Sequence, residues 1–331
     1  MNHVLSCYFP STIVLVDDSP SFLESLCDVL SNENLIVWPF SNQNDALEFI
    51  NDSSKINFLE ISYLKLYNEA SSPDSCSSTI NINMLHDMIY SEDRFSLISA
   101  VVADYSMPGM NGVEFLSKIK NPNIQKVLLT GIADEKVAID AFNDKYINKF
   151  VKKDHVNFDC EVLQVIRSSV NQYFSLYSND LIKYLPSDCS GHLKDPVFAN
   201  FFHHSCLSKS YTEYYLLDTN GSYLFLTESG QASLLSVTSD NEIDRLIQVA
   251  QDSGDAPVGV IEDLQSREYM LIHHSRHGTL PPVYEWGKHF CPARRLEGYK
   301  TYFFNFSNSN YLDVDIETIR SYHKFKNRLK S

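Results

Sequence analysis

Positive charge is what this sequence has least of. It carries 27 Lys and Arg against 42 Asp and Glu, a formal net charge of −15. Residues 1–174 account for −11 of this and residues 175–331 for −4. A non-specific grip on nucleic acid needs clustered cations, so neither half reads as a general DNA binder, although a local basic stripe stays compatible with the balance. Long apolar runs are also missing. No stretch approaches the roughly 18–20 residues that span a bilayer. The N-terminus, MNHVLSCYFP, has no cationic start leading into an apolar run, so no signal peptide is expected. The seven cysteines are odd in number and scattered, with no C-x-x-C pair, which fits reduced thiols in a cytosol. A Gly-rich phosphate loop, a Ser/His/Asp order, a helix-turn-helix and an internal repeat are absent too. What remains, at 331 residues and 44% hydrophobic content, is a soluble cytoplasmic chain of about two domains.

The first half alternates strand and helix. TIVLVDD (12–18) is a short β-branched run ending in two acids, apolar enough for a central parallel strand buried on both faces. Ser19-Pro20 reads as an N-cap with Pro at the first helical position. In the helix that follows, Phe22, Leu23, Leu26, Val29 and Leu30 share one face. LIVWPF (35–40), SLISAVVADYSM (96–107), KVLLTG (126–131) and KYINKFVKK (145–153) are the further strands, with helices between them and a long helical pattern over 157–185. This alternation predicts a doubly wound, flavodoxin-like sheet of five parallel strands, whose ligands bind beyond the carboxyl ends of the strands. Residues 53–95 break the rhythm with the Ser-rich EASSPDSCSS, and are expected to be an insertion with one or two helical turns packed on the domain edge.

Beyond Pro186 the character changes. EYYLLDTNGSYLFLT (213–227) is a hairpin around Asn220-Gly221, ASLLSVTS a third strand, NEIDRLIQVAQDSG an amphipathic helix, KTYFFNFS another strand and DVDIETIRSYHKFKNRLKS a terminal helix. An α+β output domain over 191–331 is expected, reached through a linker over 176–190 that continues the last helix of a first domain over 11–175.

Placed on one sheet, the strand ends gather at a single edge: Asp17 and Asp18 from the first strand, Asp104 from the third, Thr130 from the fourth, Lys153 from the fifth. Three carboxylates that close need a cation or shifted acidities. Hard oxygen ligands with room for water suit Mg²⁺. Asp104 then stands as a nucleophile that would form an acyl phosphate, Lys153 as fixed positive charge and Thr130 as a hydroxyl donor to the new phosphate. Lys152 competes with Lys153 for this place; strand alternation and spacing favour Lys153.

The ordered set VDDS, ADYSMPGMNGVEF, LLTG and FVKKD resembles the receiver family of two-component response regulators. The resemblance covers about residues 11–175. From Asp104 to Thr130 is 26 residues and from Thr130 to Lys153 is 23, as in that family, whereas the 86 from Asp18 to Asp104 are roughly twice the family's and place the excess in the 53–95 insertion. Asp154 stands where the family often has Pro. The resemblance implies that Asp104 is the phosphoacceptor, that Asp17, Asp18 and the backbone carbonyl of Ser106 join it as Mg²⁺ ligands, and that Thr130 and Lys153 act as the switch pair. It also implies that Phe150 is the aromatic whose rotamer reports phosphorylation; plain core is its other reading. A sensor histidine kinase or phosphotransfer protein is the implied donor, and a homodimer through the receiver the implied assembly. The insertion and YYLLDTNGSYLFL are similar to segments of response regulators of bacterial quorum sensing whose output domain lacks a helix-turn-helix.

The output half holds eight of the eleven histidines. His203, His204 and Cys206, then His273, His274 and His277, then His289 and Cys291 suggest soft metal ligands, but the spacings match no zinc pattern, and surface or core histidines are the better reading. Two alternatives stand beside a phosphorylation-switched binding protein. One is a receiver-gated enzyme or nucleotide-processing module using Asp218, Glu262, His273 and His289. The other is nucleic-acid binding through Arg294, Arg295 and the basic C-terminal helix, for which a solvated face is the plainer account.

Overall fold

The structure, a computed structural model, describes residues 4–52, 85, 87–131, 135–183, 185, 191–218, 220–273, 280–308 and 314–330. The chain divides into two compact units. One comprises Pro10–Ile61 and Asp93–Tyr177; the other comprises Met1–Phe9, Ser62–Glu92 and Ser178–Ser331. The first strand, β1 (Cys7–Tyr8), therefore belongs to the second unit, although five parallel strands separate it in sequence from the rest of its sheet.

The parallel unit contains β2 (Thr12–Val16), α1 (Pro20–Leu30), β3 (Ile36–Phe40), α2 (Gln43–Asn51), β4 (Ile98–Asp104), α3 (Gly112–Ser117), β5 (Gln125–Thr130), α4 (Glu135–Asn143), β6 (Lys149–Lys152) and most of α5 (Phe158–Lys183). Its strand order is β3-β2-β4-β5-β6, every pair parallel. This is the flavodoxin-like sheet that the alternation predicts. Every residue of the inner strands β2 and β4 is buried, as continuous Val/Ile/Ala runs require, whereas edge strands β3 and β6 are half covered. Side-chain caps start the helices. Ser19 Oγ accepts from the Phe22 N–H (3.4 Å) with Pro20 at the first helical position, Asn42 Oδ1 from the Asn44 N–H (2.8 Å) and Asn111 Oδ1 from the Glu114 N–H (2.9 Å).

The second unit is built on an antiparallel sheet of order β1-β7-β8-β9-β13-β12, formed with β7 (Tyr211–Leu216), β8 (Tyr223–Thr227), β9 (Ala232–Ser239), β12 (Arg294–Glu297) and β13 (Thr301–Asn308). A separate two-stranded pair joins β10 (Tyr269–Leu271) to β11 (Phe290–Pro292). Around these lie α6 (Pro196–Ser208), α7 (Asp240–Ser253), α8 (Val260–Ser266) and α9 (Tyr322–Lys330). One sheet face carries aromatic rings against Phe198, Phe201 and Phe202 of α6. On another part of the unit Ile243, Leu246, Val260, Leu264 and Phe303 enclose Trp286. The hairpin expected around Asn220-Gly221 is β7–β8. Gly221 has φ +85°, and a Cβ there would meet His192 Nε2 at 2.3 Å, so both the turn and the neighbour require glycine.

Three sequence expectations are corrected. No strand was legible before residue 12, yet residues 4–9 are woven into the second unit: Val4, Leu5, Cys7 and Phe9 are buried, the Leu216 N–H donates to the Ser6 carbonyl (2.7 Å) and Tyr223 Oη to the Leu5 carbonyl (2.9 Å). Of the insertion expected at the edge of the parallel unit, residues 87–92 belong to the second unit. The insertion has 3-10 turns at Met88–Tyr90 and Glu92–Ser96, and within the second unit the Ile89 carbonyl accepts from the Arg320 N–H (3.0 Å), the Tyr90 hydroxyl from the Asp315 N–H (3.1 Å), and Glu92 pairs with Arg328. Residues 53–84 and 86, including the Ser-rich EASSPDSCSS, lie outside the described residues. Finally, the terminal helix is shorter than its pattern, with a separate 3-10 turn at Ile316–Thr318 before α9.

His192 is a buried titratable group of this unit. Its Nε2 lies 3.1 Å from the Gly221 carbonyl, and its ring packs edge-on against Phe198 and Tyr302. Burial pushes its pKa down to about 4, against smaller opposing effects from that hydrogen bond and from Asp218 and Asp195. Because the unfolded chain takes up the proton first, stability is full above the ordinary histidine range and falls as pH drops through it, until the folded form also protonates near 4. Between pH 7 and pH 5 the loss from this residue amounts to about 2 kcal/mol. Urea midpoints of wild type and His192→Gln at the two pH values check this; the variant, less stable at pH 7, should lose that much less on acidification.

Candidate functional site

The site lies where β2, β4, β5 and β6 end. Asp17 is the first residue past β2; its N–H donates to the Phe40 carbonyl (3.2 Å) and its Oδ1 accepts from the Ser19 N–H (2.9 Å). Asp104 closes β4, with its Oδ2 accepting from the Ser106 N–H (2.9 Å). The chain then turns as the Tyr105 N–H donates to the Leu129 carbonyl and the Gly112 N–H to the Tyr105 carbonyl, both at 2.9 Å. Thr130 ends β5, and its carbonyl accepts from the Lys153 N–H (2.9 Å), so the backbone holds the fourth and fifth strand ends together.

One ammonium joins these ends. Lys153 Nζ lies 2.5 Å from Asp17 Oδ2 and 2.7 Å from Asp104 Oδ1. Both carboxylates are almost wholly buried, while the lysine side chain keeps 26% of its exposure. The ammonium also sits 4.1 Å over the Phe22 ring, which in turn packs on Phe158. Phe22 thus steers Lys153, a role that its helical spacing, which reads as core, did not reveal. Lys152 ends β6 instead, and lines a shallow groove with Phe150, His155, Asn157, Cys160, Glu161 and Gln164. Phe150 is half-buried and packs against the unit's core. Thr130 is fully buried, and among the described residues its hydroxyl has no hydrogen-bond partner.

Asp18 stands apart. It is exposed, and among the described residues no three His, Cys, Asp or Glu side chains are gathered as a preformed metal centre. The donor chemistry nonetheless fits a hard divalent cation. Two buried carboxylates share a single ammonium and a third carboxylate follows in sequence at the surface, leaving two negative charges uncompensated among oxygen donors.

Glycine is obligatory behind Asp104. A Cβ on Gly112 would lie 2.2 Å from the Asp104 carbonyl oxygen and 2.8 Å from Leu128 Cδ1. Backbone cannot yield as a flexible side-chain tip can, so Gly112→Ala is expected to destabilise the parallel unit by about 3 kcal/mol, read as a lower urea midpoint with an unchanged slope.

The other groups singled out in the sequence form no single site. Asp218 serves the hairpin turn, its Oδ1 accepting from the Ser222 N–H (3.0 Å), and Glu262 lies in the first turn of α8. Of the proposed enzyme set, His273 and His289 are brought together, their rings 5.1 Å apart. His203, His204 and Cys206 share α6, whereas His274 and His277 lie outside the described residues. Arg295 pairs with Glu297. No helix among the described residues is long and apolar enough to cross a membrane.

Neither protein-family models nor curated proteins match the chain. Among solved structures, the Legionella pneumophila response regulator LqsR is similar over 99% of this chain and 97% of its own, at 33% identity and a TM-score of 0.81. A receiver domain from Clostridium thermocellum covers 50% of this chain and 98% of its own at 19% identity (TM-score 0.33). A CheY-like receiver domain from Methanospirillum hungatei covers 50% and 96% at 16% identity (TM-score 0.34).

Proposed function

Because this chain belongs to the response regulators of two-component signalling, we propose that Asp104 is its phosphoacceptor and that Mg²⁺ is held by Asp17, Asp18, Asp104 and the Ser106 carbonyl. The observation that carries this reading is the Lys153 ammonium shared by Asp17 and Asp104 next to strand β5, whose terminal Thr130 has a buried hydroxyl without a partner. A carboxylate oxygen of Asp104 attacks phosphorus, and the bond to the donor breaks with its electron pair leaving on the donor, a phosphohistidine of a sensor kinase or phosphotransfer protein. The bound cation supplies charge neutralisation to the phosphoryl oxygens. Lys153 supplies a second, fixed positive charge, and the Thr130 hydroxyl gains in the new phosphate the acceptor it lacks.

The consequence is a population shift between two arrangements of the β5–α4–β6 region, with Phe150 following Thr130. Val137, Ile139 and Phe142 on α4 and Tyr146 beyond it are exposed, which supports a homodimer face on this side whose affinity changes on phosphorylation. The second unit acts as the output module, and a place in bacterial quorum sensing and in the cytoplasm follows the sequence resemblance. Acetyl phosphate with Mg²⁺ is expected to add one phosphoryl group per chain by intact mass and to raise the dimer fraction by light scattering. EDTA should prevent both. An adduct that forms equally well in EDTA removes the metal assignment, and the absence of any adduct removes the phosphoacceptor.

A further inference from the structure

The second unit holds a cationic pair that nothing in the parallel unit's chemistry uses. On the α6-facing side of the sheet, Phe304 and Phe306 of β13 lie two residues apart, and Phe201 of α6 packs on both, with ring centroids 4.4 and 6.1 Å away. Phe225 of β8 reaches Phe306 at 6.1 Å and carries Tyr211 stacked on it at 4.7 Å. Onto this aromatic floor come two exposed cations. Lys209, at the end of α6, places its Nζ 3.8 Å over the Phe306 ring, and Arg294 of the edge strand β12 stands opposite Phe304 in register.

Two like charges here work against each other. Partial burial and then the charge of Arg294 hold the Lys209 ammonium below its ordinary acidity range. Neither cation has a carboxylate partner among the described residues, in a chain whose acids outnumber its bases 42 to 27. The helix C-terminus and the ring face of Phe306 account for Lys209. They do not account for Arg294 beside it. A dianion bound between them would relieve the repulsion, and the apolar floor strengthens its hold by excluding water on one side.

We propose that Lys209 and Arg294 form a binding site for the phosphoryl group of a small phosphorylated ligand. A phosphomonoester carries close to two negative charges at neutral pH and matches two cations, as a single carboxylate does not. A small ligand is favoured over a nucleic acid because the net charge of −15 repels a polyanion over long range while costing a small dianion much less. Every residue of this site lies in the second unit.

Calorimetric titration of the full chain in EDTA, which silences the metal-dependent site, tests this with inorganic phosphate, AMP and a short single-stranded RNA. Phosphate and AMP are expected to bind saturably, and Lys209→Gln/Arg294→Gln to weaken both by about tenfold or more. Tighter binding of AMP than of phosphate would mark a nucleotide ligand; equal affinities would mark a site for phosphate esters generally. Failure of both to bind, or equal binding by the double variant, overturns the site. RNA binding stronger than that of AMP, falling steeply with salt, overturns the small-ligand assignment in favour of a polyanion. Should the double variant melt early, Arg294→Gln alone, at a solvent-exposed position without an ion pair among the described residues, is expected to show the same direction of loss.

Discussion

Asp104→Asn is expected to fold like the wild type and to take up no phosphoryl group from acetyl phosphate and Mg²⁺. The substitution changes charge and little else in shape. The amide oxygen still accepts from the Ser106 N–H, and Lys153 still has Asp17 at 2.5 Å, so the cost to stability should stay within about 1 kcal/mol. What disappears is the anionic oxygen that attacks phosphorus. Intact mass spectrometry gives an all-or-none reading, with urea unfolding as the fold control. A phosphoryl adduct on Asp104→Asn would mean that another carboxylate accepts, and Asp17, the other partner of Lys153, would be the first to examine. Loss of the adduct together with collapse of the fold would show that the pair with Lys153 is structural first.

Removing residues 1–9 is expected to unfold the second unit while leaving the parallel unit intact. The segment buries Val4, Leu5, Cys7 and Phe9 almost completely. At about 1.5–3 kcal/mol for each large apolar side chain, the loss from Val4, Leu5 and Phe9 alone is on the order of 5–9 kcal/mol, comparable with the whole stability of a typical domain. Polar ties go with it. The Val4 N–H donates to the Leu193 carbonyl, the Ser6 N–H to Ser178 Oγ, and the Leu216 N–H to the Ser6 carbonyl, so β7 would be left as an unpaired edge. Hydrogen exchange resolves the units separately: β7 and β8 should lose protection while β2, β4 and β5 keep theirs. Retained protection in β7 would show that β1 merely decorates the sheet.

The contrast with what the sequence made legible is physical. Central strands announce themselves because both faces are buried and the run is apolar throughout, as in β2 and β4. The strand-end acids and Lys153 were readable because a parallel sheet brings its carboxyl ends to one edge. Strand β1 was not, since two residues are too short to show a period and the nearest partner strand is some 200 residues away, with Cys7 opposite Tyr215. Phe22 looked like core because helical spacing reports a face and not what crosses it. The 3-10 turn at Met88–Tyr90 has no period of its own, and its attachment to Arg320 is a long-range contact that a local reading does not detect. Asp18 was grouped with Asp17 as adjacent acids at a strand end, but successive side chains there diverge, leaving one buried and the other in solvent.

The second unit is assembled from separate stretches of the chain, and this sets an order of events at the ribosome. Strand β1 emerges first, yet β7 follows only after about 200 further residues, some 10–40 s later at ordinary elongation rates. The parallel unit, whose strands are complete once Lys152 has emerged, can assemble in that interval. Its folding brings the ends of an otherwise long loop towards each other, so the nascent chain need not search for the β1–β7 pairing with the full loop unfolded. Until then Val4, Leu5 and Phe9, buried in the finished fold, remain uncovered on the nascent chain.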